Sequence, residues 1–154
     1  SLCLGTELGL EEKELRALGC SALLHDLGKS SIDRNIVNKA GSLNQDEFER
    51  MKTHPALGYN IALNIGIKDK NILDGIRHHH EKLDGSGYPD KLKGEEITLF
   101  PRIICICDIF DALTTQRSYK MALRSYDAIF LMKTYMYKHV DVKIIDTFIK
   151  MLHD

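Results

Sequence analysis

The chain is 154 residues long, with 44% hydrophobic and 28% charged residues, a balance that admits one globular domain with its own core and leaves little room for two. Its formal net charge of -1 excludes a protein held to a nucleic-acid duplex or an anionic membrane by overall positive charge, so no DNA partner is expected. No apolar run approaches the ~18 residues needed to cross a bilayer, so no direct membrane insertion is expected of this segment.

Four cysteines, Cys3, Cys20, Cys105 and Cys107, stand in apolar or helical surroundings without a CxxC spacing. That usage predicts buried free thiols in a reducing compartment, with the cytoplasm as default. The opening SLCLGTELGL has no initiating Met and no charged n-region, so it reads as a segment cut from something longer rather than as a signal peptide.

Apolar residues recur at helical spacing almost throughout, which predicts an all-α domain. A first helix is expected from Glu11 to Leu27, with Leu15, Leu18, Ala22 and Leu23 on one stripe and Gly28 as its stop. Asn44 followed by Glu47 has the pattern of a capping box and opens a second helix, which runs into Thr53-His54-Pro55, where the proline kinks or restarts it. A third is expected from Asp69 to Glu81, broken by Asp84-Gly85-Ser86-Gly87. Pro101 suits the first position of a very apolar helix through Leu113, interrupted by Asp108 and Asp111 on one face. Ser125 opens a helix to about Lys138, and Asp141 to Leu152 forms the last.

Several polar residues stand at places that suit chemistry. His25 and Asp26 offer adjacent nitrogen and oxygen ligands at a helix end, although a surface pair there would answer equally to the helix dipole. Asp108 lies among Ile103, Ile104, Ile106 and Ile109, where a carboxylate needs a cation or donors; a metal is one answer, and capping a neighbouring helix or pairing with Arg102 or Arg117 is the other. His79 and His80 differ by ~100° around a helix, so both can face one centre only at a helix end, and the following DGSG supplies that end. His78 is expected to point into solvent, and Asp111 to serve structure.

In order, HDLGK at 25–29, MKTHP at 51–55, HHEKLDGSGYP at 79–89 and CDIFDALTTQRSYK at 107–120 resemble the HD-GYP domain, the branch of the HD phosphohydrolases that cleaves cyclic di-GMP. The resemblance covers nearly the whole chain and implies an HD-type helical bundle with a GYP loop over residues 1–154, lacking the start of its first helix. It implies two metal ions, in some members three, usually iron or manganese. Asp26 would bridge them, with His25 and Asp108 on one and His54, His79 and His80 on the other. A metal-activated water would attack the phosphodiester, with Asp26 and Lys29 as catalytic groups. Lys29, Tyr88, Arg117 and Lys120 would contact the substrate. The product would be the linear dinucleotide pGpG or GMP, and a diguanylate cyclase (GGDEF) domain is an implied partner.

The chain also departs from the pattern. The family carries a further histidine ligand on a helix before this segment, whereas residues 1–24 contain no histidine, and Glu7 does not occupy that position. Asp33, Ala40 and Ser118 stand where prolines are common, and Lys82-Leu83 where an aromatic is frequent. These departures motivate an alternative: a catalytically degenerate module that binds nucleotide or a protein partner without hydrolysis.

Overall fold

The computed structural model describes residues 1–116 and 122–153. Among them the secondary structure is helical, without a strand: α1 Leu2–Glu7, α2 Glu12–Leu24, α3 Arg34–Val37, α4 Gln45–Met51, α5 His54–Asn64, α6 Lys70–His78, α7 Leu99–Thr114, α8 Ser125–Tyr135 and α9 Val142–His153. The all-α expectation therefore holds, while α1 and α3 are short helices that periodicity did not reveal.

The helix ends explain most of the boundary differences. Helix α2 begins with a capping box between Glu11 and Glu14 and ends at Leu24, three residues short of expectation, leaving His25 and Asp26 on backbone that has begun to turn away. Gly28 then lies in a short 3-10 turn, Leu27–Ser31, rather than in a left-handed cap. Its role is steric: a Cβ there would stand 1.9 Å from the carbonyl oxygen of His54 and 2.5 Å from the nitrogen of Gly58. Only glycine lets this turn lie against α5.

Asn44 caps α4 through the Glu47 N–H, and the chain restarts at His54-Pro55 as α5. The Asp69 carboxylate accepts the N–H groups of Asn71 and Ile72 at the start of α6, which stops at His78 instead of Glu81. Helix α7 starts at Leu99 behind Thr98, so Pro101 is its third residue, still within the first turn whose N–H groups need no intrahelical acceptor. Helix α8 ends at Tyr135, before the expected Lys138, and Asp141 caps α9 through Lys143 and Ile144 rather than belonging to it.

Helix α7 is the axis of the main core. Phe100, Ile103, Ile104 and Ile106 are buried with Leu4 of α1, Leu18 of α2, Met132 of α8, and Ile144, Ile145 and Phe148 of α9. A smaller cluster of Ala62, Leu73 and Ile76 fixes α6 to α5. Burial of aliphatic side chains at roughly 1.5–3 kcal/mol each makes this packing the main support of the bundle. Helix α6 packs against α2, α5 and α7, so the C-terminal ends of α2 and α6, the start of α5 and the middle of α7 meet on one side of the bundle.

Between α6 and α7 a long loop is stitched to the bundle. The Arg102 guanidinium donates to the carbonyls of Ile97 (2.7 Å) and Gly94 (2.9 Å) and to Asp141 (2.9 Å). The Leu83 N–H donates to the His139 carbonyl at 3.0 Å, and the Tyr88-Pro89 peptide is cis. The cysteines depart from expectation in burial: Cys3 is exposed and Cys20, Cys105 and Cys107 are only partly covered, although all four are free thiols. Burial still pushes the Cys105 thiol up to about 12.

Candidate metal centre

Three of the site's four histidines, His25, His54 and His79, stand at helix termini that explain their orientation, and His80 follows one residue beyond. The last carbonyls of a helix have no intrahelical donor. His25 donates its Nδ1–H to the Ala22 carbonyl (2.7 Å), His54 to Met51 (2.8 Å) and His79 to Ile76 (2.8 Å). A carbonyl can only accept, so Nδ1 carries a proton in all three rings, and whenever such a ring is neutral its Nε2 lone pair faces inward.

Those lone pairs converge. His54 Nε2 lies 3.2 Å from His79 Nε2 and 3.3 Å from Asp26 Oδ1, and His79 Nε2 is 3.9 Å from the same oxygen. One ligand atom each from Asp26, His54, His79 and His80 falls within 4.8 Å of the others. On the opposite side, His25 Nε2 lies 3.5 Å from Asp26 Oδ2 and 3.8 Å from Asp108 Oδ1. All six sequence-derived ligand candidates thus border one centre. Asp108 faces His25, while Arg102, the alternative partner, is engaged elsewhere; Arg117 lies outside the described residues.

The arrangement fits a divalent cation on its own terms. Neutral His54 and His79 rings, with their Nδ1–H groups given to carbonyls, would have no hydrogen to share across the 3.2 Å between their Nε2 atoms, and Asp26 Oδ1 is buried without a hydrogen-bond partner. Both defects disappear when a cation stands among them. Burial works against ionising Asp26, yet the Lys29 ammonium and His25 outweigh it and hold the carboxyl far below the usual carboxylate range. Asp108 is likewise held low, by His25 against burial. Burial, helped by neighbouring His80, His25 and His54, drives His79 well below an ordinary imidazole, and burial with His54 and Lys29 pushes His80 down to about 3. Ionised carboxylates beside neutral His79 and His80 rings suit metal coordination, whereas His25, raised by Asp108 and Asp26 against burial, would give up its proton to a cation.

Of the expected substrate contacts, Lys29 Nζ lies 2.5 Å from Asp26 Oδ2, and the Tyr88 ring sits 4.9 Å from that of His80. Both line a cleft of about 280 Å³ over the cluster, together with Lys39, Ile36, Val37 and Leu43. Burial, with Asp108 and Asp26 nearby, raises the Tyr88 hydroxyl pKa, so it stays protonated and able to donate. Arg117 and Lys120 lie outside the described residues.

His78 corrects an expectation. It is not solvated but held between Asp74 (Nδ1, 2.6 Å) and Asp90 (Nε2, 2.8 Å), and Asp90 also takes a two-pronged bond from Arg77. Sequence reasoning also passed over Glu81, which is buried and accepts three backbone N–H bonds. Its position after two ligand histidines was the available signal.

The HD domain family model matches residues 1–144. Among curated proteins, the cyclic di-GMP phosphodiesterase response regulator RpfG of Xanthomonas campestris is 44% identical over 75% of this chain and 31% of its own length. The 3'3'-cGAMP-specific phosphodiesterase 3 of Vibrio cholerae is 35% identical over 88% of this chain and 29% of its own length. The chain therefore spans about a third of the length of the curated relatives it matches. Among solved structures, the HDG"Y"P protein Bd1817 of Bdellovibrio bacteriovorus superposes with a TM-score of 0.78 over 98% of this chain and 48% of its own, at 20% identity. With the family model over most of its length and the HHE and GYP stretches flanking one centre, this chain belongs to the HD-domain family, in its HD-GYP branch.

Proposed function

We propose that this chain is a metal-dependent phosphodiesterase that hydrolyses a cyclic dinucleotide, cyclic di-GMP foremost, to pGpG or GMP in bacterial second-messenger signalling. The observation that carries this reading is the set of inward-facing Nε2 lone pairs around the partnerless Asp26 Oδ1. Two divalent ions, iron or manganese, would be shared by Asp26, with His25 and Asp108 on one and His54, His79 and His80 on the other; the named relatives with cyclic dinucleotide activity support the substrate class. Such ions make water available as a nucleophile near neutrality and offset phosphoryl charge.

The chain's own residues supply the rest. Lys29 and Lys39, paired with Asp26 and Glu47, bring ammonium groups to the cleft that phosphate oxygens could share, and Ile36, Val37 and Leu43 offer an apolar wall to a base. The Tyr88 hydroxyl is a donor at the cleft edge. Arg117 and Lys120 are proposed phosphate contacts. A diguanylate cyclase domain is a proposed partner and the cytoplasm the proposed location; no described helix is long and apolar enough to cross a membrane.

The test is chromatography of cyclic di-GMP incubated with manganese-loaded protein, before and after chelation and beside Asp26→Ala. Turnover that chelation and the substitution both abolish is expected. Metal-replete protein that leaves cyclic di-GMP and 3'3'-cGAMP intact would overturn the reading. A second reading, nucleotide binding without cleavage, draws on the thinner end of the cluster, where only His25 and Asp108 join Asp26 among the described residues. Calorimetric titration showing tight binding by a protein with no turnover would favour it.

A further inference from the structure

Glu81 is a buried charge that takes no part in the chemistry above. It is 3% exposed, and among the described residues it forms no salt bridge. Its Oε1 accepts the backbone N–H groups of Asp90 (2.6 Å) and Lys91 (3.0 Å), and its Oε2 that of Leu92 (3.1 Å). Consecutive N–H groups turned onto one anion form a concave nest, and Lys91 adopts the left-handed conformation (φ 57) that such a nest uses. That conformation is unfavourable for a lysine and persists only where its surroundings impose it.

The nest closes a short circuit back to the cleft. Two residues before Asp90, the Tyr88 N–H donates to the His80 carbonyl at 3.3 Å, and the Tyr88 ring lies 4.9 Å from the His80 ring. Between them the chain passes so close to the 80–82 backbone that a Cβ on Gly87 would stand 2.5 Å from the Glu81 Cα. Segment 88–92 is therefore fastened at one end by the His80 carbonyl and at the other by the Glu81 carboxylate.

We propose that Glu81 is a positioning residue which, through the backbone of residues 90–92, holds Tyr88 against His80 and so fixes one wall of the substrate cleft. The proposal rests on the reading that this cleft takes a cyclic dinucleotide. Glu81 touches neither substrate nor metal; it acts through Tyr88. A small diester that does not reach the Tyr88 wall should be indifferent to it.

The experiment compares the parent protein with Glu81→Gln, which preserves shape but turns one acceptor oxygen into an NH2 facing an N–H donor. Three readouts apply: amide hydrogen exchange, manganese content, and kinetics on cyclic di-GMP and on bis(p-nitrophenyl) phosphate. Exchange at residues 90–92 is expected to accelerate about tenfold or more while helix 70–78 is unchanged. KM for cyclic di-GMP should rise about tenfold, with kcat/KM for the small diester within about twofold of the parent and the manganese content intact. Glu81→Ala should move the same way and further; if it fails to fold, Glu81→Gln carries the test. Unaltered exchange at 90–92, or equal loss on both diesters together with loss of manganese, would overturn the proposal. A parent protein inactive on cyclic dinucleotides sinks the functional reading alone, and the exchange comparison together with the affinity for cyclic di-GMP then decides the role of Glu81.

Discussion

Two polar clusters flank the end of α6, built from the same residue types and separated in sequence by a single peptide bond. On one side His78 is enclosed by Asp74 and Asp90, with Arg77 on Asp90 and the Thr98 hydroxyl on Asp74, so both ring nitrogens are met. On the other, His79 and His80 join His54, His25, Asp26 and Asp108, with lone pairs opposed and Asp26 Oδ1 unmet. A histidine beside an aspartate is thus no signal in itself. What separates a structural cluster from a chemical one is whether its acceptors are matched by donors within the protein.

That contrast can be broken from either side. Asp26→Ala should have the largest effect, lowering metal-dependent diester turnover by at least about 100-fold, since under the proposed function it removes the carboxylate that two metal ions would share. Without metal the same variant should lose only about 1 kcal/mol or less in urea unfolding, the share of the part-exposed pair between Lys29 and Asp26 Oδ2, because Oδ1 has no internal donor; a larger loss of metal-free stability would show that Asp26 is structural. Gly28→Ala should damage both folding and site. Its methyl group would displace His54, at about 3 kcal/mol in denaturant unfolding with a parallel fall in metal content.

Asp90→Ala should do the opposite of Asp26→Ala. It strands Arg77 and His78 and should cost about 2 kcal/mol of stability, read by urea unfolding, with metal content preserved. The smallest effect is pH-dependent. Burial opposes protonation of His78, but Asp74 and Asp90 prevail and raise its pKa above the ordinary 6.5. The stabilisation from its charge is accordingly full below about pH 6.5 and lost as pH rises through the raised value. The stability difference between the parent and His78→Gln should therefore shrink between pH 6 and pH 9, by about 1 kcal/mol or less. A difference that grows over that interval would mean the ring is held neutral.

Much of this was legible beforehand because helix ends announce themselves locally. The Asn44 and Asp69 caps, the proline restart at 55 and the helix-breaking Asp84-Gly85-Ser86-Gly87 are short-range signals, and five of the six candidate ligands stand at termini or just beyond them. Asp108 was legible as a charge in an aliphatic run. The misreadings share a cause, which is distance along the chain. His78 looked solvated because, although Asp74 stands one turn earlier on the same helix, the Asp90 that closes its other side is twelve residues away and gives no local sign. Gly28 looked like a cap because its true neighbour, the His54 carbonyl, belongs to another helix. Glu81 escaped because its partners are backbone amides, which every residue but proline carries and no sequence displays.

Arg102 carries one last implication. A single guanidinium grips the exit of the long loop at Gly94 and Ile97 and the threshold of α9 at Asp141. Trimming the polypeptide before residue 141 would therefore do more than shorten a tail: it would unlatch, from behind, the segment that carries the tyrosine to the cleft.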